Sequence, residues 1–123
     1  MALNRSYNSG PIQLTTTLTT NVLNPPTVTG GLNIGGAANC YFLIKHWRVV
    51  NRTAAAVTCS FWLGATGANA AGTEVIGQAL SVPANSFLEG FTYLRIDVSQ
   101  FLVGGASALS SLTIEFEGEI GIV

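Results

Sequence analysis

Charge is what this sequence has least of: five Lys and Arg with six Asp and Glu make eleven charged residues in 123, and the formal net charge is −1. An ordinary globular chain is about a quarter charged, and a mixed charged surface is what keeps a free protein from associating. A chain rich in Thr, Ser, Asn and Gly with so few charges is expected to meet neighbours. The balance of signs excludes the basic field that binds a phosphate backbone by counterion release, so nucleic acid is not an expected partner. Long apolar runs are missing as well. None reaches the roughly 18 residues needed to cross a bilayer, because Lys45, His46, Arg48 or glycines cut the longest ones. Residues 1–10 have no apolar core after Arg5, so no secretory signal is expected and the chain is expected to stay where it is made.

Good helix formers are scarce too, and no run of them exceeds a turn or so. What is present has a period of two. Val57, Cys59, Phe61 and Leu63 alternate with Thr58, Ser60 and Trp62; Ile114, Phe116 and Ile120 alternate with Glu115, Glu117 and Glu119. These are half-buried strands. Turn clusters separate the runs at Asn24-Pro25-Pro26, Gly30-Gly31, Gly35-Gly36, residues 64–72, Pro83-Ala84-Asn85-Ser86 and Gly104-Gly105. The spacing predicts an all-β antiparallel sandwich or jelly roll of one domain. At 123 residues such a domain buries about two thirds of its unfolded-chain surface and needs no metal or disulfide.

Residues 1–30 differ from the β-sandwich expected over 31–123. Their Thr-rich stretch, residues 15–20, and Pro25-Pro26 leave two readings: a first strand with Ile12, Leu14 and Leu18 on one face, or an extended arm. Residues 1–10 have too few apolar groups to order themselves and are either a frayed end or an intersubunit arm, for which Leu3, Arg5 and Tyr7 are the candidate contacts.

The segments 41–50 and 56–63 are expected to pair as a hairpin around residues 51–55. Val49 then faces Val57, Trp47 faces Cys59 and Leu43 faces Leu63, giving one continuous apolar face. Lys45 falls on that face, so either its stem snorkels past the core edge or a bulge shifts the register. The opposite side carries Phe42, Ile44 and Trp62, an apolar patch of the kind that marks association sites unless an arm or loop covers it, and Arg48 beyond it. In this hairpin Cys40 lies seven residues from the position facing Cys59, too far to bond, and both cysteines are expected to be buried reduced thiols. The sequons Asn4-Arg5-Ser6 and Asn51-Arg52-Thr53 carry no weight without secretion.

Glu115, Glu117 and Glu119 project to one side of a strand. Three carboxylates could gather Ca²⁺, but calcium sites draw on a loop that wraps the ion. The row is expected instead to be solvated, to guard a sheet edge, or to meet Arg48, Arg52 or Arg95 of this or another subunit. Catalysis finds little support: the chain has a single histidine, His46, and no nucleophile motif surrounds its serines. Residues 64–72 lack the Lys and helix of a phosphate loop and are expected to form a long flexible loop. No enzyme activity, cofactor or metal is expected.

The order His46-Trp47-Arg48-Val49-Val50-Asn51-Arg52-Thr53, Val57-Thr58-Cys59-Ser60-Phe61-Trp62-Leu63, Val82-Pro83-Ala84-Asn85-Ser86, a glycine break and a closing strand resembles small β-sandwich structural proteins of tailed bacteriophages. The resemblance covers roughly the last eighty residues. It implies a capsid decoration, or cement, protein that binds the outside of a phage head and bridges major capsid proteins. It further implies a homo-oligomer, commonly a trimer, an N-terminal arm across the shell, and a place on the virion after synthesis in the host cytoplasm. The interface residues expected on this reading are Leu3, Arg5, Tyr7, Phe42, Ile44, Arg48, Trp62, Glu115, Glu117 and Glu119. Two alternatives remain open: a tail, baseplate or head-fibre component, and a carbohydrate-binding module using Trp47, Trp62, Tyr41 and Tyr93.

Overall fold

The computed structural model describes residues 5–25 and 40–122, and the side chains of residues 6–25 and 40–121. Leu3, Asn4, Pro26, Gly30-Gly31 and Gly35-Gly36 lie outside the described residues, as does the side chain of Arg5. The described residues form β1 (Arg5–Asn8), β2 (Ile12–Gln13), β3 (Asn21–Leu23), β4 (Cys40–Asn51), β5 (Val57–Gly64), β6 (Leu80–Val82), β7 (Phe87–Ile96), β8 (Phe101–Ala106) and β9 (Leu112–Ile122), with no helix among them.

β1 and β2 both lie along β9, which pairs with β4, which pairs with β7; the second sheet runs β3, β8, β5, β6. Every pairing is antiparallel. With β1 and β2 as two halves of one strand, the chain visits the two sheets in the order of a jelly roll. Those halves are separated at Gly10, whose φ of 70° is open to glycine without strain and whose N–H is held by Asn8 Oδ1 at 2.7 Å. Ser9 keeps the ladder closed across the break: its N–H donates to Phe116 O and its Oγ accepts from Phe116 N, both at 3.0 Å. The segment expected to be a frayed end or intersubunit arm is thus, from Arg5 to Asn8, a strand of this chain's own sheet.

The core lies between the sheets. Phe42, Ile44, Trp47 and Val49 of β4 and Ile114 and Phe116 of β9 meet Val57, Cys59 and Phe61 of β5 and Leu102 of β8, all buried. Each such side chain contributes about 1.5–3 kcal/mol through area removed from water.

β4 and β5 do not form the expected hairpin. β4 pairs with β7 and β9 in one sheet, β5 with β6 and β8 in the other, and residues 52–56 carry the chain across the sandwich. Trp47 and Val49 do face the side of Cys59 and Val57, but across the core rather than along a ladder. Asn51 fixes this corner. Its side-chain amide, 1% exposed, donates to Ala55 O and Val82 O at 2.8 and 3.1 Å, and its Oδ1 accepts from Thr53 N and Thr53 Oγ1 at 2.9 and 2.7 Å. An Asx turn and a bridge to β6 replace the two-strand turn. Cys40 and Cys59 are both buried and unbonded, and they belong to opposite sheets.

Lys45 marks a bulge, one of the two outcomes its position allowed. The register of β4 against β9 shifts between Ile44 and His46, so Lys45 and His46 both project outward. The same shift turns Phe42 and Ile44 inward, to 7% and 0% exposure, which removes them from the expected surface patch. Trp62 leaves it as well, at 5% exposure. It lies on the outward side of β5 opposite Val103, also buried, beside the loop that runs from Gly64 to the Trp62–Glu74 bridge. That loop does not hang free. Asn21 of β3 holds it through Thr66 Oγ1 and Gly67 N, both at 2.9 Å, and its return limb pairs with β5 through Thr73, Val75 and Gly77.

Candidate interaction face

The open surface of the sandwich is the outward side of the sheet made by β1, β9, β4 and β7. Alternation sends Glu115, Glu117 and Glu119 of β9 to this side, Lys45, His46, Arg48 and Val50 of β4 beside them, and Phe87, Glu89, Phe91, Tyr93 and Arg95 of β7 at the edge. Seven of the eleven charged residues of the chain are in this set.

Most of these charges are paired. His46, positioned by the bulge, sits between two carboxylates: Nε2 is 2.9 Å from Glu89 Oε2 and Nδ1 is 3.4 Å from Glu117 Oε1. Arg48 Nη2 reaches the same Glu89 Oε2 at 3.0 Å, and Lys45 Nζ reaches Glu119 Oε2 at 3.2 Å. The hydrogen bond from His46, followed by that from Arg48, holds the Glu89 carboxyl below the ordinary carboxylate range. Of the three roles expected for the glutamate row, pairing with arginines of the same chain is not the one seen for Glu117 and Glu119. Glu117 and Glu119 meet His46 and Lys45, Arg52 turns away to Ser110 O at 2.9 Å, and Arg95 engages Asp97 at 2.7 Å. The partners changed because the bulge advances Lys45 and His46 onto this face. Among the described residues no group of three or more His, Cys, Asp or Glu is arranged to hold a metal ion.

Aromatic rings line the β7 side of the network. Phe91 is 82% and Tyr93 81% exposed, with Phe87 about half exposed. The His46 ring lies 4.8 Å from that of Phe91, the Arg48 guanidinium stands 5.0 Å above Phe87, and that of Arg95 stands 4.2 Å above Tyr41. Between Phe91, His46, Lys45, Glu117 and the β1 residues Ser6 and Asn8 is a depression of about 540 Å³.

Of the residues expected at an interface, Arg48, Glu115, Glu117 and Glu119 are brought together on this face. Tyr7 is at its margin but faces inward, stacked on Phe42 with ring centroids 4.3 Å apart, and burial raises its pKa. Phe42, Ile44 and Trp62 are inside the domain. The backbone of Arg5 pairs with Ile120, and Leu3 lies outside the described residues. Sequence reasoning missed Phe87, Phe91, Glu89 and the pairing roles of Lys45 and His46. The signal was an alternation in β7 that puts Phe, Glu, Phe, Tyr and Arg on one side and Leu, Gly, Thr, Leu and Ile on the other.

No protein-family model matches the chain, and no curated protein matches it. Among solved structures, a chain of infectious bursal disease virus, Gt strain, matches over 97% of this chain and 31% of its own length, at 9% identity and a TM-score of 0.33. A likeness at that level bears on neither fold nor function. The jelly-roll assignment rests on the strand order alone.

Proposed function

We propose that this protein is a virion structural protein, a capsid decoration protein that docks on the outside of a phage head and bridges major capsid proteins through the outward side of the β9, β4 and β7 sheet. The observation that carries this reading is the aromatic and ionic face itself. A domain whose core lies buried between its sheets leaves Phe91 and Tyr93 more than four-fifths exposed on the face that carries Arg48 and Arg95. Aromatic residues and arginine are the types enriched in protein interfaces. The jelly roll, a fold used in viral capsids as well as in lectins and cupins, and the low overall charge agree with a subunit that works among neighbours. In this reading His46 is a structural residue that fixes the two acidic side chains, and the protein has no catalytic role. A subunit that binds only the assembled shell stabilises it by mass action.

Quantitative mass spectrometry of intact, purified virions tests this. A copy number near that of the major capsid protein is expected. A ratio of a few per hundred moves the chain to the tail or a fibre, and absence from particles overturns the virion reading. The glycan-binding alternative loses two of its four aromatics, because Trp47 and Trp62 are buried.

A further inference from the structure

We propose that β7 is a two-fold self-association edge: two copies pair their β7 strands antiparallel about Thr92 and merge their β1–β9–β4–β7 sheets into one continuous sheet. This goes beyond the decoration reading and does not depend on it.

β7 closes its sheet. One side of it pairs with β4, and among the described residues nothing pairs with the other. An unpaired edge presents a row of N–H and C=O groups to any strand that can match it, and proteins usually blunt such edges with Pro, Lys, short length or inward charge. β7 is ten residues long, contains neither Pro nor Lys, and directs its two charges, Glu89 and Arg95, outward; its register against β4 shifts at Thr92 and Tyr93, but its side-chain alternation runs unbroken through them.

The sequence of the strand selects the partner and the register. Side chains alternate, so two antiparallel copies keep their outward rows on one face only in registers that pair outward with outward positions. Centred on Thr92, Glu89 of one copy lies opposite Arg95 of the other, and Phe91 opposite Tyr93, each twice by symmetry. A centre on Phe91 sets Glu89 against Tyr93, and a centre on Tyr93 sets it against Asp97. Opposite-charge and aromatic pairs directly across a ladder both stabilise it. The groups required are placed for this. Glu89 now leans toward β4, where its contacts fall on Oε2, and Arg95 lies over Tyr41 with its Nε on Asp97, so pairing across the edge uses Glu89 Oε1 and the Arg95 Nη atoms after a turn of each side chain. On the inner side the same register puts Leu94 opposite Gly90 and Leu88 opposite Ile96. Leu88 and Leu94 are only partly buried at the margin of the core, and the second copy would complete their burial.

The test is sedimentation equilibrium of the full chain at micromolar concentrations, with two variants at the exposed positions 91 and 93. The wild type is expected at twice the chain mass of 12.8 kDa. Phe91→Lys with Tyr93→Lys places like charges opposite each other at both pairs and is expected to weaken dimerisation at least about tenfold. Phe91→Glu with Tyr93→Lys places opposite charges there and is expected to remain dimeric. Circular dichroism checks that both variants are folded. A monomeric or trimeric wild type, or a Lys/Lys variant that dimerises as tightly as the Glu/Lys one, overturns the proposal.

Discussion

The two sheets of this sandwich have outward sides of opposite character. The strands β3, β5, β6 and β8 contain no charged residue at all, while the outward positions of β9, β4 and β7 hold seven of the eleven in the chain. The reason is coverage. The neutral sheet is roofed by its own chain: Thr15 and Thr17 lie so close over Gly105 that a Cβ there would meet their carbonyl oxygens at 2.7 and 3.0 Å, and Ser60 Oγ accepts from Ala79 N at 2.7 Å. A charge under such a roof would lose its water without a partner, so hydroxyls, glycine and Trp62 fill those positions instead. The other sheet is open, and there charge costs little. Aromatic exposure follows the same trend, since the tryptophan on the roofed side is buried and the phenylalanine and tyrosine on the open side are not.

Truncating an aromatic on each side tests the contrast. Trp62→Ala removes a buried indole and should cost about 3–5 kcal/mol in chemical denaturation. Phe91→Ser should leave the stability of the single chain, read at a concentration low enough to separate copies, within about 0.5 kcal/mol, because there the ring is already in water. Equal losses in the two variants would erase the distinction between the faces.

The corner that sends the chain from the open sheet to the roofed one is the next place to break it. Asn51→Ala strands the buried carbonyl of Val82 and removes the acceptor used twice by Thr53, and should cost about 2–4 kcal/mol, read as a shift in the urea midpoint without a change in slope. Asn51 also shows where the sequence was silent. A five-residue link between alternating segments serves a hairpin or a crossing between sheets equally well, since both put Val49 and Val57 inward. Only the burial of the amide separates the two, and no local pattern announces it. Lys45 was legible because a charge on an apolar register demands a bulge or a snorkelling stem. β7 was not: a strand with Phe, Phe and Tyr on one side reads as a core strand. The true inward row is poorer because Trp47 fills its space, with a Cβ at Gly90 coming within 2.6 Å of the indole. The all-β class and the strand character of β4, β5 and β9 were plain from period-two patterning: β4 and β9 each bury one side, and β5 alternates apolar with hydroxyl-bearing residues although both its sides are covered.

Alkali probes the roofed sheet from inside. Burial pushes the Cys59 thiol from 9.0 up to about 11, so the folded chain keeps a proton that the unfolded chain releases. Stability from this group is full below about pH 9 and falls as pH rises toward 11, by on the order of 2 kcal/mol. Cys59→Ser should flatten that alkaline decline, and a decline of unchanged steepness in the variant would assign it to other groups.

Acid probes the open sheet, and the expected effect is the smallest. Glu89 accepts from His46 and Arg48, which lowers its folded pKa beneath the unfolded value. The contribution of that carboxylate is therefore present above the unfolded pKa and is lost as pH falls through the folded one. Its exposure to water screens the pair, so the measurement is comparative: Glu89→Gln should lose part of the acid dependence of the melting temperature while changing the neutral value little. The same variant must leave the alkaline limb untouched, because Cys59 lies across the core in the other sheet. Acid and alkaline limbs that respond to separate single substitutions would mean that the two sheets contribute separately to the pH dependence. A Glu89→Gln variant that retained the full acid slope would take that slope away from Glu89, and the His46 bridge would then be a geometric contact with no measurable coupling.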